Sequence, residues 1–505
     1  MRTLNIAMLL DMAVAGDPDR VAMGSRGPGT GTTCTQLRRT AAGVATVVHR
    51  TGARELVFAG VNGPAFPVLL FAAALAGVPL VPVNYRLSTQ ALTNLLVHTE
   101  RPLVVADEAF AAGFEGVRVR TPEALLVEGR AADPAEGLEG SPDDPAVLLF
   151  TSGTTAAPKA AVLRHRHLSS YILQTVEFGS AAPDDAVLTS VPPYHVAGVG
   201  SVLSNLYAGR RIVHLGAFEP AAWLALVRAE GVTSAMVVPT MLARVVEHLG
   251  GGPADVPTLR SLAYGGARMP HTVLEAALRA FPDAGFTNAY GLTETSSTIA
   301  LLGPDDHRAA LGSDDPAVRA RLRSAGRMVP GVEARIRDET GAVLLPGAVG
   351  QLWVRGPQVS GEYKGSGEHK GPATTLDGDG WFHTRDLAHF DDEGYLFIEG
   401  RADDTIIRGG ENIAPAEVED VLLRHDTVRE AAVVGVPDEE WGERIAAFVV
   451  VHEGAATDAE ALRAWVRGRL RGSKTPDVIV FRAELPYTPT GKLLRRELLT
   501  TMQGG

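Results

Sequence analysis

The chain alternates between short apolar runs and longer alanine-rich segments, and this alternation sets the first expectations. Between about Thr33 and Thr240 the runs ELVFAG, VPLVPVN, PLVVAD, AVLTSVP, RIVHLG and SAMVVPT read as short buried strands. TQLRRTAAGVATVVHR and FEPAAWLALVRAEG read as helices. Strands alternating with helices imply parallel sheets covered by helices on both faces. From about Gly326 the texture changes: VEARIRD, AVGQLWVRG and GYLFIEG look like strands in hairpins and a small barrel. After GRADD it changes again, to a compact α+β pattern with PAEVEDVLLRH and DAEALRAWVRGRL as helices and AAVVGVP and RIAAFVVV as strands. The expected fold class is therefore α/β. It has a large N-terminal domain over 1–399 of parallel and mixed sheets plus a small β-barrel, a joint at 400–403, and a small α+β domain over 404–505. Pro304 to Ser324 reads as a surface excursion, and the RHRH run at Arg164–His167 as helix-face polarity.

Composition narrows the class. A chain of 505 residues is too long for a single core, so two or more domains are expected. Hydrophobic content of 45% against 21% charged residues describes a globular chain. With 47 basic and 59 acidic residues the net charge is −12, which offers no footprint for nucleic acid. A single cysteine, Cys34, excludes an intrachain disulfide and suits a reducing cytoplasm. The N-terminal apolar stretch is cut by Asp11 and lacks a signal-peptide core. The longest apolar stretch, Phe66 to Val83, is interrupted by Gly77, Pro79 and Pro82, so it reads as a buried helix followed by a strand, not a membrane span.

Candidate chemistry begins at LLFTSGTTAAPKAAV, where an apolar run ends in hydroxyls, a glycine and one lysine. Backbone amides and hydroxyls at a strand end can wrap an oligophosphate, and a lysine adds a cation. The spacing is not that of a Walker loop, because GTTAAPK has no glycine before Lys159 and no Ser or Thr after it. From the loop alone, phosphate binding and an ordinary Ser/Thr-rich turn stay equally open.

Four further motifs follow in order: AYGLTET (289–295), WFHTRDLA (381–388), GRADDTIIRGGEN (400–412) and YTPTGKLLRREL (487–498). Together with the loop they closely resemble the core motifs of the adenylate-forming superfamily. That superfamily comprises acyl- and aryl-CoA synthetases, nonribosomal peptide adenylation domains and firefly luciferase. The resemblance runs from about residue 10 to 500. It implies a two-step reaction: a carboxylate attacks the α-phosphate of ATP to give acyl-AMP and pyrophosphate, then a thiol such as that of coenzyme A displaces AMP. It also implies Mg²⁺, and a C-terminal domain that acts as a mobile lid.

Residue by residue, the resemblance assigns Thr151, Ser152, Gly153, Thr154, Thr155 and Lys159 to the β- and γ-phosphates. Glu294 matches the acid that positions Mg²⁺, and Thr293 would touch the α-phosphate. Tyr290 would offer adenine a flat face, bordered by Gly265, Gly266 and Ala267, with Gly291 shared between nucleotide and acid pockets. Asp386 matches the carboxylate that accepts from both ribose hydroxyls, and Arg401 reaches ribose or phosphate from the joint. Lys492, which alone would read as a solvated surface charge, matches the catalytic lysine whose cation offsets repulsion between carboxylate and α-phosphate. Asp403 matches the hinge, and Gly409 and Gly410 let backbone lie close to a pantetheine arm. Two departures stand out. Ala156 and Ala160 replace usual glycines, which predicts negative φ at both; Arg385 replaces another, and is strained if that position needs positive φ.

The segment Val191–Gly209 is expected to line the acid pocket, with His195 as a gate between it and the pantetheine tunnel. No aspartate occurs there to pair a substrate ammonium. Tyr194, Val196, Gly198 and Val199, with Val238 opposite, favour an uncharged apolar acid, aryl or medium-chain. Three readings follow: an acid–CoA ligase, an adenylation enzyme serving an acyl carrier protein or another nucleophile, and a non-catalytic relative, against which Glu294, Asp386 and Lys492 argue. A homodimer is left open as a further partnership.

Overall fold

The computed structural model describes residues 5–27, 29–114, 116–134, 140–151, 159–364, 373–438, 440–488 and 493–503. Its architecture is α/β, built on two large mixed sheets, a four-stranded sheet and a separate C-terminal sheet.

The first large sheet orders its strands Ala373–Thr374, Glu362–Tyr363, Lys159–Arg164, Pro145–Thr151, Leu80–Pro82, Glu55–Ala59, Pro102–Ala106 and Val119–Arg120. The strands from Pro145–Thr151 onward pair in parallel, while the Pro145–Thr151 and Lys159–Arg164 pair is antiparallel, with Thr151 opposite Lys159. Helix Ala65–Leu75 is buried at every residue from Phe66 to Leu75, as its unbroken apolar sequence requires. The helix Cys34–Thr51 starts on a capping box between Thr33 and Gln36 and stops at Gly52, whose φ of 65° closes it in the left-handed region.

The second sheet has nine strands, ordered Arg327–Met328, Ser297–Leu302, Gly285–Leu292, Ser261–Gly265, Ser234–Val237, Ala186–Thr189, Arg211–His214, Val21–Gly24 and Gly31–Thr33. The third sheet orders Glu333–Arg337, Gly350–Arg355, Phe382–Phe390 and Leu396–Arg401 as an antiparallel array, where the sequence reads as hairpins and a small barrel. A 3₁₀ turn, Ala402–Asp404, then leads into the last sheet, which orders Glu411–Ile413, Ile406–Arg408, Gly442–Val451 and Val428–Asp438, with Val478–Phe481 alongside Gly442–Val451. No helix among the described residues is long and apolar enough to cross a membrane.

Two sequence expectations need correction. Pro304–Ser324 is no loose excursion: it forms helices Pro304–Gly312 and Pro316–Ala320, and buried His307 meets the Tyr264 hydroxyl at 2.9 Å. The histidines of the RHRH run are not surface polarity either. His165 and His167 are 1% and 3% exposed, and burial lowers each pKa to about 4. As neutral rings their Nδ1 atoms accept from the Ile6 and Arg164 amides, which is how helix His165–Thr175 is tied to the N-terminal segment.

Candidate active site

Glu294 sits on a 3₁₀ turn, Thr293–Thr295, that ends strand Gly285–Leu292. The turn is held by the Thr295 hydroxyl, which accepts from the Leu292 amide and donates to the Leu292 and Ser297 carbonyls. The chain leaves it through Ser296 and Ser297, at φ 56° and 110°. Two successive non-glycine residues at positive φ store backbone strain, a cost typical of sites over-determined by their surroundings. Gly291 is dictated by the same crossing: a Cβ there would stand 1.8 Å from the Ser297 carbonyl oxygen.

Tyr363 donates its hydroxyl to Glu294 Oε1 at 2.5 Å. Its short strand, Glu362–Tyr363, is pinned from both sides. Arg164 binds Glu362 in bidentate fashion at 2.6–3.0 Å, and Lys364 pairs with buried Glu55. The Ser360 and Gly361 amides also donate to the Glu294 carbonyl. Burial and the adjoining Glu294 carboxylate push the Tyr363 pKa up, so the hydroxyl stays a donor. Lys159 Nζ lies 6.0 Å from the centre of the Tyr363 ring, which places the lysine of the loop beside this pair.

A second tyrosine–carboxylate pair joins strand Gly285–Leu292 to strand Phe382–Phe390. Tyr290 donates its hydroxyl to Asp386 Oδ2, and Arg401 Nη1 reaches Asp386 Oδ1 at 2.9 Å. Asp386 is 4% exposed, and a buried carboxylate needs such partners. Burial, with Asp386 beside it, raises the Tyr290 pKa well above its ordinary value. Arg385, next to Asp386, has φ 64°, and its Nη1 stands 3.6 Å from Asp403 Oδ2. Gly265 and Gly266 end the neighbouring strand; a Cβ on Gly265 would meet the Ala289 carbonyl at 2.2 Å, and Gly266 takes φ 84°.

A family model of the AMP-binding enzymes matches residues 10–364, and one of the AMP-binding enzyme C-terminal domain matches 417–492. The chain belongs to the AMP-binding enzyme family. This AMP-binding enzyme is 36% identical over 460 residues to a fatty acid–[acyl-carrier-protein] ligase from Streptomyces coeruleorubidus, covering 88% of this chain and 86% of that one. It is 34% identical over 480 residues to a feruloyl-CoA synthase from an Amycolatopsis species, covering 93% and 94%. Among solved structures it is similar to ATP-bound MatB from Rhodopseudomonas palustris, with a TM-score of 0.87 at 28% identity and 99% of each chain covered. Against the apo form of that enzyme, at the same identity and coverage, the TM-score is 0.77.

Of the AMP-binding motifs, the structure brings Lys159 from the first sheet, Tyr290, Gly291, Thr293 and Glu294 from the second, and Asp386, Arg401 and Asp403 from the third and the turn after it to one region. Ser152, Gly153, Thr154, Thr155 and Lys492 lie outside the described residues, as does Ala156. Ala160 has negative φ, since it is absent from the few non-glycine positions at positive φ, and it is buried opposite Phe150. Gly409 and Gly410 turn at φ 56° and 80° between strands Ile406–Arg408 and Glu411–Ile413, with Gly409 against the Trp441 ring.

His195 is the residue before helix Val196–Ala208. Its Nε2 and the Tyr194 hydroxyl are buried with no hydrogen-bond partner among the described residues. Burial lowers the His195 pKa to about 4 and raises that of Tyr194 to about 12. The two rings stand 4.7 Å apart, with Tyr85 edge-on to Tyr194. Val199 is fully buried in the core, Gly198 is forced by the Pro192 carbonyl 2.6 Å from a Cβ, and Val238 lies 3.7 Å from a Cβ on Gly266. Sequence reasoning missed Tyr363 altogether. Its partner lies 69 residues away, and neither periodicity nor motif spacing carries such a pairing.

Proposed function

We propose that this chain is an AMP-forming acid–CoA ligase that activates an uncharged apolar carboxylic acid, aryl or short to medium chain, and passes the acyl group to coenzyme A. One arrangement carries the reading. Two carboxylates from distant elements, Glu294 and Asp386, are each held by a tyrosine hydroxyl, beside the cations Lys159 and Arg401. In the first step an oxygen of the acid attacks the α-phosphorus of ATP, the bond to the β-phosphate breaks and pyrophosphate leaves. In the second the thiol sulfur attacks the acyl carbonyl, and AMP leaves with the bonding electrons.

Asp386 would accept from the ribose hydroxyls while Arg401 holds its other side at 2.9 Å. Thr151 through Thr155 and Lys159 would hold the outer phosphates, and Lys492 would bring its cation to the carboxylate and α-phosphate. The donor set also fits Mg²⁺: Glu294 offers a hard carboxylate with one oxygen fixed by Tyr363, and this ion takes one or two carboxylates together with phosphate oxygens. Bound there, it would neutralise charge on the phosphates. His195, neutral at physiological pH, adds no charge to the acid pocket. The division at 400–403 would let the 404–505 unit swing after adenylation, with Asp403 as the hinge. The single, buried Cys34 would suit a cytoplasmic setting.

A second reading, transfer to an acyl carrier protein, is favoured by the 36%-identical ligase of that type. ATP–pyrophosphate exchange across aryl and alkyl carboxylates, followed by transfer assays with CoA and with a carrier protein, separates them. Exchange with no thioester on CoA would replace the first reading by the second, and no exchange with any acid would overturn both.

A further inference from the structure

Arg385 is anomalous on two counts. It holds φ 64°, a left-handed conformation that a glycine adopts freely and an arginine does not. Its side chain is 56% exposed, and its ion-pair partner Asp403 is 45% exposed. An exposed pair at 3.6 Å returns too little to offset left-handed backbone, so fold stability does not account for an arginine here. Its neighbours define what it does instead. Asp386, the next residue, is paired across the antiparallel ladder with Arg401, which begins the 3₁₀ turn containing Asp403. Arg385 thus joins the strand bearing the nucleotide-site carboxylate to the turn between the two parts of the chain. Among the described residues, other ionisable groups near it have partners of their own: Arg401 is engaged by Asp386, Tyr363 donates to Glu294, and His383 stacks on Trp353.

We propose that Arg385 is a positioning residue for the adenylation half-reaction: through Asp403 it holds the interdomain turn in the arrangement seen here. This rests on the two-step reading above. The chain's TM-score is 0.87 against the ATP-bound form of MatB and 0.77 against the apo form, and we take the arrangement seen here as the adenylating one. Swinging the 404–505 unit for thiol attack turns the backbone at Asp403 and breaks the pair. The ion pair, present in one arrangement and absent in the other, then biases the equilibrium between them, and glycine, which lacks the guanidinium, would leave it unbiased.

The test uses the full chain with three single variants, Arg385→Gly, Arg385→Ala and Asp403→Asn, and the Arg385→Ala/Asp403→Asn double. Adenylation is read by ATP–pyrophosphate exchange, and the second step by thiolysis of supplied acyl-AMP. Each single variant should lower the exchange-to-thiolysis ratio by about two- to fivefold, the range an exposed pair supports. The double should fall no further than the singles. Arg385→Gly alone should also raise Tm, because it relieves the backbone. A second readout needs no activity: spin labels at Glu123→Cys and Glu460→Cys, both exposed sites, report interdomain distances. Cys34 does not compete, being 2% exposed with its thiol pushed up to about 11. Arg385→Ala and Asp403→Asn should populate a second distance at the expense of the first. Unchanged distances and an unchanged ratio overturn the proposal, as does a ratio that shifts in Arg385→Gly but not in Arg385→Ala. Absence of exchange in the wild-type chain overturns the two-step reading instead, and the distance measurement still reports on the pair.

Discussion

Replacing Tyr363 by phenylalanine removes one oxygen and leaves the ring, so it isolates the contact to Glu294. The hydroxyl donates at 2.5 Å to a carboxylate, and a hydrogen bond to a charged group contributes roughly 1.5–3 kcal/mol. Tyr363 is only half-buried and water can replace part of the bond, so the lower end applies: about 1.5 kcal/mol, or about tenfold in an equilibrium constant. The loss should fall on the carboxylate that would hold Mg²⁺, because the backbone pairing of Tyr363 with Ala161 and the ion pairs of Glu362 and Lys364 are untouched. The Mg²⁺ concentration for half-maximal ATP–pyrophosphate exchange should rise about tenfold, within the range for loss of a group that orients a metal ligand. The rate at saturating Mg²⁺ and the Tm should stay close to wild type. Tyr290→Phe, which acts on Asp386, serves as the contrast: it should raise KM for ATP and leave the Mg²⁺ midpoint in place. An unchanged Mg²⁺ midpoint in Tyr363→Phe, or a collapse in rate that saturating Mg²⁺ does not restore, would refute the argument.

Lys492→Ala should abolish ATP–pyrophosphate exchange while largely sparing thiol attack on supplied acyl-AMP; equal loss in both assays would remove its role. Gly291→Ala drives a Cβ to 1.8 Å from the Ser297 carbonyl, so it should cost about 3 kcal/mol, the upper end for overpacking, seen as a fall in the denaturation midpoint. The buried histidines make stability pH-dependent. His165, His167, His195 and His214 titrate near 4 in the folded chain against 6.5 when unfolded. Below pH 6.5 the unfolded chain therefore binds protons that the folded chain refuses, and stability falls as pH drops toward 4, by on the order of a few kcal/mol per histidine. Thermal melts between pH 7 and 4.5 should show this slope, shallower in His167→Gln; flat melts across that window would contradict the burial argument.

How far the sequence carries depends on the distance over which each feature is specified. The strands Glu55–Ala59 through Ser234–Val237 and the helix Cys34–Thr51 are local patterns of burial, and they lie where the apolar runs place them. The capping box at Thr33 is equally local. Arg385 was legible as a doubtful residue because a motif fixed its position, and its φ of 64° is the conformation a glycine would have filled. The Ser296–Ser297 strain was not legible, since no residue type there advertises positive φ. Nor was the fate of His165 and His167, whose burial depends on the N-terminal segment carrying Ile6, 159 residues before His165. The helices of 304–324 failed for a related reason: a charged, proline-bearing stretch hides the few residues, His307 and Ala310 among them, that anchor it.

The strand Glu362–Tyr363 has a consequence for how the protein is made. It pairs with Lys159–Arg164, so the first large sheet includes a piece of chain that arrives about two hundred residues after its neighbour. A ribosome adding about 5–20 residues per second leaves the Lys159–Arg164 strand without this partner for roughly 10–40 s. During that interval the strand is an open edge bearing the loop lysine, a template for pairing with another nascent chain. The segment that fixes Glu294 for chemistry is thus also the one that closes this edge. A message that stalls between these two points should yield an aggregation-prone product, in which most of the first sheet's strands are already synthesised and the site is not yet formed.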